Sequence, residues 1–120
     1  MWGARNGKPV AFFDVYRDGT LLLSVSVRER AVEVFDGTSM KRLTRFPTGV
    51  GPTHAICRPE GPCFILDTRG NAILVVRISA NGRDARVTRR VYLPGGPYGV
   101  ALDERRDRLW VTSPGTNMVT

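Results

Sequence analysis

The chain has 120 residues, of which 42% are hydrophobic and 24% charged. Such a composition is typical of a folded globular protein and excludes both a disordered chain and a collagen-like fibre. No apolar run approaches the roughly 20 residues that cross a bilayer, so we expect no membrane span. The first ten residues lack the basic and then apolar layout of a signal peptide, and a signal outside this sequence would leave an extracytoplasmic location open.

The charged residues are predominantly basic. Eighteen Lys and Arg residues against eleven Asp and Glu give a net charge of +7, and only Lys8 and Lys41 are lysines. The arginines are scattered through predicted turns, whereas nucleic-acid-binding surfaces gather them on one face or along one helix. We therefore expect a solvated, arginine-rich exterior and no nucleic-acid partner.

Residues 10–46 contain four short apolar segments separated by turns. We predict strands at 10–15, 21–27, 31–35 and 40–46, because apolar residues run together or alternate there. Asp18-Gly19 is typical of a tight hairpin turn, and Asp36-Gly37 begins another turn. The fourth segment is more polar than the others, as expected for the outer strand of a sheet whose edge faces water.

The same pattern continues along the rest of the chain. Strands predicted at 53–57, 63–67, 72–78 and 86–92 form a second unit, and strands at 98–102 and 109–112 begin a third. No window of ten or more residues has apolar side chains at helical spacing, and Gly or Pro interrupts nearly every such window. The chain is therefore predicted to be all-β.

The second and third units are copies of one repeat. The stretch that begins at Gly51 resembles the stretch that begins at Gly96, and an ungapped overlay pairs Pro52 with Pro97, 45 residues later. The same overlay pairs 64–66 with 109–111. A period of roughly 40 to 50 residues with about four apolar segments is typical of a β-propeller blade. We expect four-stranded antiparallel blades at about 9–46 and 52–92, and a partial blade at about 97–120.

Two and a half blades cannot close a ring, which needs about four or more. We therefore expect a partial propeller, a fragment whose partners include the missing blades of its own ring. The outer faces of the first and last blades would then be uncovered. We expect exposed apolar residues on them, including Leu21, Leu23, Leu109 and Val111.

The segment GPYGVALDERRDRLWVTSPGTNMV, and also GPTHAICRPEGPCFILDTRGNAILVV, resembles the YVTN-type propeller repeat of YncE-like proteins. The resemblance implies a seven-bladed, lactonase-like propeller, a group that includes enzymes, ligand binders and proteins with no assigned role. It favours a binding or scaffold module that meets a small-molecule or protein ligand at the mouth of the central channel. The alternative is a lactonase-like hydrolase or a virginiamycin B lyase-like eliminase.

His54 is the only histidine and stands where the third unit has Gly99. It begins the predicted innermost strand, which lines the channel of a propeller. An imidazole there can bind a ligand or act as a catalytic acid or base near pH 7. We expect instead a polar residue that hydrogen-bonds backbone or water. One histidine without a second ligand does not make a metal site, so we predict no metal and no cofactor.

Two further residues are candidates for a site. Asp67 ends the predicted second strand of its blade and pairs with Thr112 in the overlay. Its carboxylate is either catalytic or caps the turn, and we expect turn capping. Tyr98 is a candidate for stacking on a ligand at the channel mouth, whereas Trp110 is expected to pack between blades.

Cys57 and Cys63 flank the turn at 59–62 and face each other if the hairpin is symmetric about Glu60. Cα separations of about 4.5 to 5.5 Å between such partners permit a disulfide. Two half-buried thiols packed as small hydrophobes are the alternative, and we favour the thiols.

Overall fold

A computed structural model describes residues 4–5, 8–9, 12–16, 20–59 and 61–120, with side chains from residue 20 onward. The predicted turn at Asp18-Gly19 and the hairpin tip at Glu60 lie outside the described residues. Within the described part of the chain, no helix is long and apolar enough to cross a membrane. The predicted all-β class is confirmed, since strands alternate with turns and one short 3₁₀ segment, Pro114–Thr116.

The strands follow the predicted order along the chain. They are β1 (Ala4–Arg5), β2 (Lys8–Pro9), β3 (Phe12–Tyr16), β4 (Leu21–Ser26), β5 (Ala31–Asp36), β6 (Arg42–Pro47), β7 (Pro52–Cys57), β8 (Cys63–Asp67), β9 (Ala72–Ile78), β10 (Ala85–Tyr92), β11 (Val100–Asp103), β12 (Arg108–Ser113) and β13 (Met118–Val119).

Three antiparallel sheets follow one another along the chain, after the small pair β1 and β2. The first sheet has the order β3-β4-β5-β6, the second has β7-β8-β9-β10, and the third has β11-β12-β13. Within each sheet, strands that follow one another in sequence are hydrogen-bonded neighbours, as in the meander of a propeller blade. The architecture is therefore that of β-propeller blades in a partial propeller.

The main core lies between the first and second sheets. Its buried side chains come from β4, β5 and β6 on one side and from β7, β8 and β9 on the other. They are Leu21, Leu23, Val25, Val32, Val34, Phe46, Ala55, Cys63, Ile65, Ala72, Leu74, Val76 and Ile78. Burial of one large aliphatic side chain contributes about 1.5 to 3 kcal/mol, so the packing of sheet on sheet stabilises the fold.

The expectation about exposed apolar faces is wrong for the residues it named. Leu21 and Leu23 belong to the core, Val111 is 2% exposed, and Leu109 is partly buried. Successive side chains of a strand point to opposite faces, so Val111 lies on a covered face of the third sheet and Trp110 on the other. Trp110 is 46% exposed and does not pack between blades of this chain.

The second hairpin has the predicted register. Cys57 lies opposite Cys63, and Ile56 lies opposite Phe64. The two cysteine sulfurs are bonded, and the Cα atoms are 4.0 Å apart. The structure therefore has the disulfide and not the two packed thiols that we favoured, because direct opposition brings both side chains to one face of the sheet.

The third hairpin is one residue longer than the second. Three residues separate the partners Arg58 and Pro62, and four separate Asp103 and Arg108. The ungapped overlay is therefore wrong beyond this turn, where the repeat distance becomes 46 residues. Judged by their cross-strand partners, residues 63–66 of the second sheet correspond to residues 109–112 of the third. Asp67 therefore corresponds to Ser113 and not to Thr112. The disulfide pair thus corresponds to Leu102 and Leu109.

The outer strands β6 and β10 carry a bulge at the same place. The ladder shifts past Leu43 in β6 and past Thr88 in β10, and each of these residues lacks a cross-strand partner. Leu43 packs against the core, and the Thr88 hydroxyl donates to the Val75 carbonyl at 3.2 Å. A shared bulge bends both outer strands in the same way.

Candidate functional site

His54 and Tyr98 meet where the second sheet adjoins the third. His54 lies on β7, the first strand of its sheet, and Tyr98 lies just before β11, the first strand of the next. Their ring centroids are 4.6 Å apart and the ring planes are inclined by 74°, an edge-to-face contact. The structure therefore brings together the two residues that the sequence singles out as candidates for ligand binding. Tyr98 remains 50% exposed, so the pair is accessible.

Asp67 is not part of this pair. His54 lies opposite Leu66 in the ladder, so these two side chains share one face of the second sheet. Asp67 follows Leu66 in the strand and therefore points to the opposite face. A catalytic pair of His54 and Asp67 would need both groups on one face.

Partial burial sets the protonation of His54. Desolvation lowers the pKa of the imidazole below its ordinary value of 6.5. At neutral pH the ring is therefore uncharged, with one nitrogen that donates a hydrogen bond and one that accepts. Such a ring suits a polar, neutral ligand better than an anion.

In the third sheet, a side chain at the equivalent position would force Thr112 to shift. The Gly99 N–H donates to Thr112 Oγ1 at 2.8 Å. A Cβ atom on residue 99 would lie 2.7 Å from that oxygen, closer than carbon and oxygen approach in proteins. The difference between His54 and Gly99 thus follows from the partner strand, which has Leu66 in one sheet and Thr112 in the other.

Two threonines, Thr53 and Thr68, connect the second sheet to the segment that carries Tyr98. The Thr68 hydroxyl donates to the Pro97 carbonyl at 2.6 Å. Its oxygen lies 2.6 Å from the Thr53 hydroxyl, which is left to donate because the Thr68 proton is already used. These two hydrogen bonds hold Pro97, and with it Tyr98, against the end of β7.

Asp67 joins three segments of the second sheet at a fully buried position. Its carboxylate accepts hydrogen bonds from Gly51 N–H at 2.7 Å, and from Val50 and Gly70 N–H at 3.2 Å. Arg90 of β10 donates to the same carboxylate at 3.2 Å and to the Gly70 carbonyl at 3.1 Å. We call this set of contacts the Asp67 clasp. It ties the crossing from the first sheet to the β8–β9 turn and to the outer strand.

The third sheet lacks such a clasp. Ser113 stands at the position of Asp67, and its buried hydroxyl has no hydrogen-bond partner among the described residues. The crossing into the third sheet is held by other bonds. Gly96 N–H donates to Asn71 Oδ1 at 3.0 Å, and Gly115 N–H donates to the Gly95 carbonyl at 2.8 Å.

Sequence reasoning missed Arg90, Thr53 and Thr68. Arg90 belongs to an Arg-Arg pair that resembles a solvated outer strand, and it meets Asp67 only through the order of β8, β9 and β10. The sequence shows a threonine at 53 and another at 68, but threonine is common in turns, so neither position pointed to a contact. Among the residues that the structure describes, no three His, Cys, Asp or Glu side chains lie close enough to hold a metal ion.

Successive four-stranded meanders, packed face to face, place this chain in the β-propeller class. Solved structures agree with that assignment. A chain of Kuenenia stuttgartiensis hydrazine synthase matches with a TM-score of 0.73 and 14% identity, over 94% of this chain and 33% of that chain. Kluyveromyces lactis Hsv2 matches with a TM-score of 0.57 and 10% identity, over 87% of this chain and 30% of that one.

Both matched proteins are β-propellers, and at these identities the likeness shows the fold alone. The chain spans about a third of the length of each matched chain, consistent with a propeller whose other blades lie outside this sequence. No protein-family model matches the chain, and no curated protein matches it either.

Proposed function

We propose that this chain is the part of a YVTN-type, YncE-like propeller that binds a ligand where the first strands of two blades meet, at the mouth of the channel. The observation that carries the proposal is the contact between the rings of His54 and Tyr98 at 4.6 Å. Two aromatic side chains from neighbouring blades converge there, and one of them is half exposed. Binding sites favour such convergent polar and aromatic groups.

The chemistry of the pair indicates the class of ligand. A neutral imidazole is a polar aromatic ring without charge, and the phenol of Tyr98 offers a hydroxyl beside an apolar ring. A small, uncharged ligand that combines hydroxyl groups with a flat apolar face fits these groups. The hydrogen bonds of Thr53 and Thr68 hold the Tyr98 segment in place through groups of the protein itself, which favours a preorganised site.

The single histidine makes the proposal directly testable, because the chain has only one set of imidazole signals in a proton NMR spectrum. We expect phenol, catechol or another small hydroxylated aromatic probe to shift these signals in a saturable way. His54→Gly introduces the residue that the third sheet has at the equivalent position, Gly99. Tyr98→Thr introduces the residue that the second sheet has at the equivalent position, Thr53. Both variants should keep the fold and lose binding of the probe.

An NMR titration in which Tyr98→Thr binds the probe as tightly as the wild type would refute the proposed site. Loss of probe binding accompanied by a collapse of the amide spectrum would instead show that Tyr98 is needed for folding. A far-UV circular dichroism spectrum and a melting curve of each variant separate these two outcomes.

A second candidate is an enzyme of related shape, a lactonase-like hydrolase or a virginiamycin B lyase-like eliminase. The lowered pKa of His54 favours it, because an uncharged imidazole at neutral pH can accept a proton. General-base catalysis needs a further acid or nucleophile beside His54, and the opposite orientation of Asp67 does not supply one. Hydrolysis of γ-butyrolactone that is lost in His54→Gly would establish this function.

A further inference from the structure

Two arginines face each other on the outer half of the second sheet. Arg77 of β9 lies directly opposite Arg86 of β10, and both side chains are exposed. Beyond the bulge at Thr88, Arg89 lies opposite Val75 and therefore on the same face as Arg77. Partners opposite each other in an antiparallel pair have Cβ atoms about 5 Å apart, so the charges of Arg77 and Arg86 repel.

The first sheet has an oppositely charged pair at the position that corresponds to Arg77 and Arg86. When the two sheets are aligned on their bulges, the cross-strand pair Phe35–Arg42 of the first sheet corresponds to Val76–Val87 of the second. The next pair beyond it in the first sheet is Asp36–Lys41, which corresponds to Arg77–Arg86. Opposite charges thus occupy the place that Arg77 and Arg86 hold in the second sheet. The like-charged pair is a departure from the repeat and not a requirement of the fold.

Protection of a sheet edge does not explain the arginine pair. A charged residue on the edge strand β10 discourages pairing with another chain. Arg77 belongs to β9, which is covered on both sides by hydrogen-bonded strands, and the first sheet protects its own edge without like charges. Within the described residues, no ion pair involves Arg77, Arg86 or Arg89.

The pair would stay accessible in a larger ring. The second sheet packs against the first, where Gly82 of the β9–β10 turn approaches Leu21 and Leu43. Lys41 nevertheless remains exposed, and Asp36 is only partly buried. By the same geometry, a complete third blade would leave Arg86 exposed and Arg77 within reach of solvent.

We infer that Arg77 and Arg86 form a binding site for a phosphate-class oxyanion, with Arg89 as a third cation on the same face. A guanidinium presents two parallel N–H groups that match two oxygens of a phosphate, and such charge-assisted hydrogen bonds are among the strong ones. Two guanidiniums across a strand pair can hold one phosphate between them. The bound anion would also remove the repulsion that the free pair carries.

The test uses inorganic phosphate and pyrophosphate as probes, followed through the Arg side-chain Nε–H signals in NMR. Arg77→Asp recreates the opposite-charge pair of the first sheet and should weaken binding about tenfold or more while leaving the melting temperature equal or higher. Arg83→Asp is the matched control: Arg83 is exposed in the adjacent turn, and the substitution changes the net charge equally. It should leave the affinity within about twofold.

Equal losses in Arg77→Asp and Arg83→Asp would overturn the inference, because they would show attraction by net charge alone. Absence of saturable binding to the wild type would overturn it as well. The source of the phosphate follows from two further measurements with the same variants. Binding to vesicles that contain phosphatidic acid, lost in Arg77→Asp, supports the site and points to a lipid headgroup. Binding to free phosphoserine alone, with the same loss, supports it and points to a soluble partner.

Discussion

Asp67→Ser should strongly destabilise the second sheet. Serine is the residue at the equivalent position, Ser113, so the change is compatible with the backbone of the repeat. It removes a fully buried carboxylate that accepts hydrogen bonds from Val50, Gly51 and Gly70. A serine hydroxyl satisfies one of these three amides at most.

The magnitude follows from the contacts that are lost. Of the three amides, only Gly51 N–H is buried with no other partner, and leaving it unpaired costs about 1 to 2 kcal/mol. Val50 is 45% exposed, and Gly70 N–H also donates to the Asp67 backbone carbonyl, so these two amides cost less. The ion pair with Arg90 adds less than about 1 kcal/mol, because the Arg90 side chain is 47% exposed and screened by water. We therefore expect a loss of about 2 to 3 kcal/mol, a substantial part of the 5 to 15 kcal/mol typical of a whole domain.

Urea unfolding followed by circular dichroism measures this loss. With an m-value near 1.5 kcal/mol/M, the unfolding midpoint should fall by about 1.5 M. Arg90→Gln should cost only about 1 kcal/mol, since the three amides still hold the carboxylate. The matched control is Arg45→Gln, at the equivalent arginine, whose partner Glu29 is 54% exposed and 3.5 Å away. This control should change stability by less than about 0.5 kcal/mol.

A loss below about 1 kcal/mol in Asp67→Ser would refute the argument that the carboxylate holds the crossing. An equal loss in Arg90→Gln would show that the ion pair, and not the hydrogen bonds from the amides, supplies the stabilisation.

Two other perturbations report on single features. Because burial lowers the pKa of His54 below 6.5, the folded chain binds fewer protons than the unfolded chain as the pH falls through that value. Stability should therefore decrease from about pH 7.5 to about pH 5.5, and urea midpoints of His54→Gly should decrease less; parallel profiles would contradict this reasoning. Reduction of the disulfide, whose cysteines are 6 residues apart, should cost about 2 kcal/mol in urea unfolding. A double Cys57→Ala, Cys63→Ala variant should be insensitive to reductant, and a response in that variant would show that the reductant acts elsewhere.

The periodic pattern of the sequence was sufficient to predict β3 to β12, but not the two-residue strands β1 and β2. Apolar runs bounded by Gly, Pro and Asp placed β8 and β9 at their observed limits, 63–67 and 72–78. The symmetry of the turn around Glu60 also gave the register of Cys57 and Cys63. Strand limits and hairpin register depend on residues that are close in the sequence, so the sequence pattern is enough to predict them.

Tertiary features were harder to predict. The overlay of the repeats failed by one residue because the extra residue lies in a polar turn, where sequence similarity is weakest. The burial of Leu21 and Val111 depends on which face meets a neighbouring sheet, and alternation alone does not tell the two faces apart. The Asp67 clasp joins residues that are up to 23 positions apart and become neighbours only through sheet order.

The shared bulges at Leu43 and Thr88 influence how this chain can associate with copies of itself. A strand that is bent at its middle cannot form a long, straight ladder with another copy, so the edges of β6 and β10 resist growth into fibrils. The open face of the third sheet carries Trp110 and has no such protection. Self-association through the edges of β6 or β10 would therefore require the bulges to be removed, whereas contact through the Trp110 face would not.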